Sequence, residues 1–145
     1  MDKYDIRLEY DHQWIDHPLQ IITKINHKVI QVDVSGHNNV VINKRIPLEN
    51  KSHVMTMQIG NKNEANTQVD RDGNIIKDTT IELKSLQINS IELMPLLYHS
   101  EQFAGFYING QDDQYKTKMV NFGYNGIWEF KFETPIYDWM LEHLF

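Results

Sequence analysis

The feature that most constrains this chain is an alternation of apolar and polar side chains that recurs from residue 5 to about residue 132. Ile6, Leu8 and Tyr10 alternate with charged residues, and the segment His53–Ile59 alternates in the same way. Because successive side chains of a β-strand point to opposite faces, a period of two predicts strands with one buried face. Such strands must cover their apolar faces with one another.

The regular spacing of these segments predicts an all-β fold. The strands are separated by turn residues, and no helices alternate with them as they would in a parallel βαβ arrangement. We therefore expect one domain, residues 1–145, folded as an antiparallel, jelly-roll-like β-sandwich of about nine strands. Residues 44–52 are expected to form a loop or the approach to a sheet edge. The predicted strands cover residues 6–10, 19–25, 28–34, 39–43, 53–59, 79–93, 104–109, 116–122 and 127–132.

Three dipeptides predict tight turns. Asn26-His27 separates two strand patterns by two residues, and asparagine tolerates the left-handed backbone that such a turn needs. Asn109-Gly110 and Asn125-Gly126 are strong short-range signals for a β-hairpin. We expect each pair to connect two neighbouring strands.

The apolar register shifts twice within residues 79–93. Three apolar pairs are separated by Lys84-Ser85 and by Asn89-Ser90. A shift of one residue turns every later side chain to the opposite face of the sheet. We therefore predict a β-bulge at Lys84-Ser85 and a turn at Asn89-Ser90.

The chain is expected to end in a short amphipathic helix. Thr134 suits the N-cap position and Pro135 the first helical position. Ile136, Trp139 and Met140 then share one helical face. This face would form an interface with a partner if it does not fold back onto the core.

Composition excludes several classes of function. The chain has 145 residues, 14 basic against 20 acidic side chains, a formal net charge of −6 and no cysteine. An acidic chain without a basic cluster does not suit nucleic acid, and no apolar run is long enough to span a membrane. Seven charged residues among the first 20 speak against a signal peptide. The missing cysteines exclude disulfides, thiolate metal sites and a cysteine nucleophile.

The polar segment Gly60–Asp78 is the most site-like part of the sequence. Asp70, Asp72 and Asn74, with Asp78 four residues further on, offer the oxygen ligands that Ca²⁺ prefers. The order of residues does not match an EF-hand. The simpler alternative is a small hairpin around an Asp-Gly turn, with carboxylates exposed to solvent.

Seven histidines allow a zinc site in principle. His12 and His17 are five residues apart, which places them on opposite faces of a strand rather than on one. We therefore favour scattered surface histidines over a zinc site. The sequence also lacks a G-x-S-x-G elbow and a phosphate-binding loop, so an enzyme is the least favoured function.

Aromatic residues are concentrated in the last third of the chain. Trp128, Phe130 and Phe132 alternate along one strand face and are predicted to lie in the core. Tyr107 and Tyr124 lie beside the Asn-Gly pairs, and Tyr115 lies between them. Together they could form an exposed platform for a sugar ring, or could cover the edge of the core.

Two segments resemble known proteins. The run from His53 to Asn61, followed by "IELKSLQIN" at residues 81–89, resembles calcium-dependent, xylan-binding-type carbohydrate-binding modules. That resemblance implies a glycan ligand and, as a cofactor, either none or Ca²⁺. It implies that the ligand loop carries Asn61, Asp70, Asp72 and Asp78, with Asn74 beside them.

The stretch from Asn121 to Pro135 is similar to small β-sandwich proteins of tailed phages. This similarity implies a non-catalytic interaction module in the virion, as a capsid decoration or a tail or fibre component, found in the virion or in the host cytoplasm during assembly. Its partners would be virion proteins, copies of itself or a surface glycan. A calcium-dependent carbohydrate-binding module and a purely structural homo-oligomer are the alternatives.

Overall fold

Two antiparallel sheets form the framework of the protein. The computed structural model describes residues 2–99, 103–109 and 121–143. Within these residues the strands are β1 (Asp2–Gln13), β2 (Gln20–Ile25), β3 (Lys28–Asp33), β4 (Asn39–Leu48), β5 (Ser52–Gly60), β6 (Thr67–Val69), β7 (Ile75–Asp78), β8 (Thr80–Ile88), β9 (Ile91–Glu92), β10 (Ala104–Ile108), β11 (Asn121–Phe122) and β12 (Gly126–Glu133). The helices are α1 (Met94–His99), α2 (Ile136–His143) and a 3₁₀ turn at Glu64–Asn66.

The strand order explains how the chain covers its apolar faces. The first sheet has the order β4-β1-β8, and both β9 and β11 pair with the outer edge of β8. The second sheet has the order β3-β2-β5-β12-β10, and β6 pairs with β7 in a separate hairpin. The inward side chains of both sheets belong to one buried cluster. The predicted antiparallel β-sandwich is therefore confirmed, and the nine predicted segments each contain a strand.

Aromatic rings join the two sheets in the core. Phe122 of the first sheet stacks on Phe106 of the second with ring centroids 4.9 Å apart, and lies 6.4 Å from Trp128. Trp128, Phe130 and Phe132 follow one another along β12 with stacked rings. Burial of rings of this size is a major contribution to folding. The prediction that these three residues lie in the core is confirmed.

Buried polar groups also connect the sheets. The Tyr10 hydroxyl donates a 2.6 Å hydrogen bond to Asp33, and the backbone N–H of Leu19 donates to His12 Nε2. Burial and the Asp33 carboxylate raise the pKa of Tyr10. Burial would raise the pKa of Asp33, but hydrogen bonds from Tyr10 and Ser35 hold it below its ordinary value. His12 is almost fully buried, so the expectation of scattered surface histidines is wrong for this residue.

Several local predictions are confirmed. Asn26 and His27 have φ of 51° and 69° and join β2 to β3. The register of β1 against β8 shifts so that Lys84 has no opposite residue, which is the predicted bulge. Asn89 and Ser90, with φ of 50° and 66°, form the turn into β9.

Two local predictions are wrong. Residues 44–52 were expected to form a loop or the approach to a sheet edge; the loop is wrong, because β4 continues to Leu48 as the edge strand of its sheet, a position that tolerates Pro47. Asn125-Gly126 does not close a hairpin, because β11 pairs with β8 and β12 pairs with strands of the other sheet. Gly110 of the other Asn-Gly pair lies outside the described residues.

The predicted C-terminal helix exists, but its apolar face is not an interface. Ile136, Trp139 and Met140 are all at most 4% exposed, because they pack back onto the sandwich. The ring of Trp139 lies 6.0 Å from Phe130 and 5.2 Å from Phe103, in edge-to-face contacts. The prediction that these three residues bind a partner is therefore wrong. None of the helices in the described residues is long and apolar enough to cross a membrane.

Thr134 has a different role from the predicted N-cap. Its hydroxyl donates to the Glu49 carbonyl at 2.8 Å and lies 3.0 Å from His53 Nε2. The first helical hydrogen bond of α2 runs from the Trp139 N–H to the Pro135 carbonyl. Thr134 thus attaches the start of α2 to the start of β5.

The close approach of β10 to β12 predicts a large effect of Gly126→Ala. A Cβ at this position would lie 2.2 Å from the Tyr107 carbonyl oxygen and 2.9 Å from the Phe106 ring. We expect the free energy of unfolding to fall by about 2–3 kcal/mol, measured by urea denaturation. Gly60→Ala is the control, because its Cβ would meet nothing nearer than 4.0 Å. Equal effects of the two substitutions would contradict this prediction.

The burial of His12 predicts that the fold loses stability in mild acid. Desolvation lowers the pKa of His12, with only partial compensation from the Asp33 charge. Below the ordinary histidine pKa the unfolded chain therefore binds a proton that the folded chain does not, and stability falls as the pH falls. We expect the loss in free energy of unfolding from about pH 7.5 to about pH 5.5 to be smaller in His12→Gln. The exposed His37→Gln is the control and should retain the full loss.

Candidate functional site

A cleft of about 360 Å³ opens at one end of the sandwich. It lies where the β5–β6 loop, the β6–β7 hairpin and the β11–β12 connection meet. We call it the Lys62 cleft, after the residue at its base. Its lining consists of Lys62, Asn63, Thr67, Ile75, Asp78, Gly123, Tyr124 and Asn125.

The ammonium group of Lys62 is surrounded by oxygen atoms. Its Nζ lies 2.8 Å from Asp78 Oδ1, 3.1 Å from the Thr79 carbonyl and 2.5 Å from the Gly123 carbonyl. The side chain is only 12% exposed. A partly buried charge is costly unless it is paired and its donors are satisfied, and here each of the three N–H donors has an acceptor.

Asp78 is the acidic centre of the cleft. Its Oδ1 accepts hydrogen bonds from the Thr67 hydroxyl and from the Thr79 N–H, in addition to its contact with Lys62. Burial would raise the pKa of this carboxyl, but these donors and the Lys62 charge hold it below its ordinary value. Within the described residues Oδ2 has no hydrogen-bond partner, so it is available as an acceptor.

Asn125 fixes the backbone of Lys62. Its side-chain oxygen accepts from the Lys62 N–H at 2.9 Å, and its side-chain nitrogen donates to the Lys62 carbonyl at 3.0 Å. The Asn125 carbonyl accepts from the Asn109 N–H. One asparagine therefore joins the β5–β6 loop, the β11–β12 connection and the end of β10.

Asn66 attaches the same loop to the β1–β2 connection. Its side chain is fully buried and donates to the carbonyls of Ile15 and His17, while its oxygen accepts from the Asn63 N–H. The ring of His17 in turn contacts the Asn61 carbonyl at 2.7 Å. Hydrogen bonds from the His17 ring to the Asp16 carboxylate and to the Asn61 carbonyl raise the pKa of His17. These contacts hold the loop that carries Lys62 in one place.

Tyr124 gives the cleft an aromatic wall. Tyr124 is 53% exposed, and Ile75, which also lines the cleft, is exposed as well. An exposed aromatic side chain and a carboxylate in the lining of one small cavity offer apolar contact and hydrogen bonding together. This combination suits a ligand with one apolar face and hydroxyl groups at its edge.

The structure brings two of the predicted site residues together and separates the others. Asp78 and Tyr124 line the same cleft. Asp70, Asp72 and Asn74 lie at the turn of the β6–β7 hairpin, beyond the register pairs that link Thr67 to Asp78 and Val69 to Ile75. Asp70 Oδ1 accepts from the N–H groups of Asp72 and Asn74, so this carboxylate stabilises its own turn.

Asn61 and Tyr107 do not line the cleft. Asn61 has φ of 72° and contributes its carbonyl to the contact with His17. Tyr107 is half-buried on β10, opposite Ile127, and does not line the cleft. Tyr115 lies outside the described residues.

The predicted calcium ligands do not form a calcium site together. Among the described residues there is no group of three or more histidine or acidic side chains that could hold a metal. Asp70 is engaged by its own hairpin turn, and Asp78 is paired with Lys62. The geometry of these residues therefore does not fit Ca²⁺.

Sequence reasoning missed Lys62 and Asn125. A single lysine after a strand carries no pattern, and its partners lie 16 and 61 residues further along the chain. Asn125 belongs to an Asn-Gly pair, which predicts a local turn and not a contact with a distant loop. One signal for this part of the site is that Gly123 and Asn125 lie between two alternating strand patterns, at residues 116–122 and 127–132, and belong to neither.

A second, larger groove of about 650 Å³ lies beside α2. Its rings contact one another, since Phe103 lies 4.5 Å from His143 and Trp139 lies 5.3 Å from His143. Trp139 is almost completely buried, so it offers little surface to a ligand. The groove is also lined by Asn26, Ser52, His53, Val54, Lys131, Phe132, Glu133 and Glu142.

Comparison with known proteins yields one structural similarity. No protein-family model and no curated protein sequence matches the chain. A solved structure described as "vCBM60 in complex with galactobiose" is similar to it, with 8% sequence identity and a TM-score of 0.48. The alignment covers 87% of this chain and 96% of that one.

The buried position of Asn66 predicts a strong effect of Asn66→Ala. The substitution leaves the carbonyls of Ile15 and His17 without their donor inside the protein. We expect the free energy of unfolding to fall by about 2–3 kcal/mol, measured by urea denaturation. Asn74→Ala at the exposed hairpin turn is the matched control and should change it by less than about 0.5 kcal/mol. A result with the order reversed would contradict the assigned role.

Proposed function

We propose that the protein is a non-catalytic glycan-binding module and that the Lys62 cleft is its binding site. The observation that carries the proposal is that one cavity is lined by the exposed Tyr124 and by Asp78, whose Oδ2 has no hydrogen-bond partner among the described residues. A sugar ring has apolar C–H faces that stack on an aromatic ring, and its edge carries hydroxyl groups that donate to a carboxylate. The cavity has room for about one or two sugar rings, which fits the end of a chain or a short segment.

The preformed loops support this proposal. Lys62 and Asn125 are held by hydrogen bonds between their segments, and Asn66 fixes the base of the β5–β6 loop. A site whose polar groups are already in place loses less conformational freedom on binding. The cleft is therefore rigid enough to bind a polar ligand such as a sugar, whose contacts are individually weak.

The charges in the cleft favour binding over hydrolysis. Glycosidases of the common kind need two carboxyl groups about 5–10 Å apart, one of them able to act as an acid near neutral pH. Among the described residues, the lining of the cleft supplies one carboxyl, Asp78, whose pKa is held below its ordinary value by its donors. Such a group stays ionised and accepts hydrogen bonds, which is the role of a binding residue.

A glycan array followed by calorimetry on the best oligosaccharide tests the proposal. We expect Tyr124→Ala to weaken binding about tenfold or more, because it removes the stacking surface. Tyr137→Ala is the matched control, because Tyr137 is 56% exposed on α2 and does not line the cleft. Its affinity should stay within about twofold of the wild type. An array without any bound glycan, or equal affinity of wild type and Tyr124→Ala, would overturn the proposal.

We propose the virion as the place where this module acts, on the basis of the similarity of residues 121–135 to phage proteins. In that setting the module would present the Lys62 cleft to a surface glycan while another surface contacts virion proteins.

The homo-oligomeric alternative loses one of its supports, because Ile136, Trp139 and Met140 are buried within the chain. Its remaining support is the outer edge strands β3 and β4, where Val29, Val32 and Val41 are exposed. Mass spectrometry of purified virions decides whether the protein is a virion component.

A further inference from the structure

The oxygen atoms around Lys62 have the arrangement of a cation site. One carboxylate oxygen and two backbone carbonyls converge within 2.5–3.1 Å of a single point, the Nζ atom. They come from the end of β7, the start of β8 and the residue after β11. Carboxylate and carbonyl oxygens are the ligand types that Ca²⁺ prefers. In this protein the cation at that point is the ammonium group of Lys62.

Two further features belong to the same arrangement. Asp78 Oδ2 has no partner among the described residues and lies beside Gly123, where a Cβ would be 3.6 Å from it. A Cβ at Gly123 would also lie 3.8 Å from Lys62 Nζ. Both are ordinary van der Waals distances, so Gly123 lies directly against the ammonium group and against the Oδ2 side of the carboxylate.

We propose that the Lys62 ammonium is the resident cation of the cleft, and that it occupies the only position where Asp78, Thr79 and Gly123 could together hold a metal ion. The wild-type protein then takes no Ca²⁺ at this position. Removal of the ammonium group leaves an uncompensated carboxylate and two carbonyls, which form a divalent cation site. This inference does not depend on glycan binding, so its test is separate from that of the proposed function.

The chemistry of the vacated site predicts which ion it accepts. Ca²⁺ tolerates flexible geometry and completes its coordination with water, whereas Mg²⁺ requires a near-ideal octahedron and loses water reluctantly. Three protein oxygens with a single carboxylate correspond to weak binding, with a dissociation constant on the order of 1 mM. We therefore expect Lys62→Ala to respond to Ca²⁺ more than to Mg²⁺.

Thermal unfolding in EDTA and in millimolar CaCl₂ or MgCl₂ tests the proposal on the whole chain. We expect the wild-type melting temperature to be the same in all three conditions. Lys62→Ala should melt about 5–10 °C lower in EDTA, because it leaves Asp78 unpaired, and Ca²⁺ should restore at least half of that loss. The double variant Lys62→Ala, Asp78→Asn should show no response to Ca²⁺.

Lys84→Ala is the matched control. Lys84 pairs with Glu82 and Asp11 on the surface, with a side chain 43% exposed. Its removal should lower the melting temperature by only about 1–3 °C, and Ca²⁺ should not restore it. If Lys62→Ala does not fold, Lys62→Met, which keeps the aliphatic part of the side chain, is measured by calorimetric titration with CaCl₂.

Two results would overturn the inference. One is stabilisation of the wild type by Ca²⁺ that is lost in Asp78→Asn, which would show that a metal binds beside the ammonium or displaces it. The other is a folded Lys62 variant without any response to Ca²⁺, which would show that the three oxygens do not form a cation site. Restoration of Lys62→Ala by Ca²⁺, with no effect on the wild type, supports it.

Discussion

The end of the sandwich that carries the cleft depends on one partly buried ammonium group. Lys62 is 12% exposed, so its charge has lost most of its contact with water and must be stabilised by the protein. Asp78 and Thr79, which are neighbours in the chain, and Gly123, which lies between β11 and β12, supply the three acceptors. Because all three acceptors must converge on one atom, their segments have a fixed separation.

Other buried polar groups hold the sandwich together in a similar way. Tyr10 and Asp33 join the two sheets by a hydrogen bond, and Thr134 joins α2 to the start of β5 through the Glu49 carbonyl. Asn66 joins two loops at the end where the cleft lies. Each group links segments that are distant in sequence, so each contributes to a unique arrangement as well as to stability.

The sequence was sufficient for features that depend on near neighbours. Side-chain alternation predicted the strands, and the left-handed preference of asparagine predicted the turn at Asn26-His27, because both are local effects. Asn125-Gly126 shows the limit of such signals. There the asparagine binds the Lys62 backbone and the glycine avoids the Tyr107 carbonyl, so the same dipeptide has a tertiary cause. The burial of Ile136 was likewise not predictable, because helical spacing does not say which surface covers the apolar face.

Asp70 and Asp78 show why a candidate site could be predicted only in part. The two residues are eight positions apart in one polar segment and have the same side chain. Asp70 lies at an exposed turn, where the backbone N–H groups of Asn74 and Asp72 donate to its carboxylate and lower its pKa. Asp78 ends a strand and lines the cleft, where a lysine from another loop lies within hydrogen-bond distance of its carboxylate. The role of each carboxylate therefore depends on which donor the fold brings within reach, and that is decided by the pairing of strands far apart in the chain.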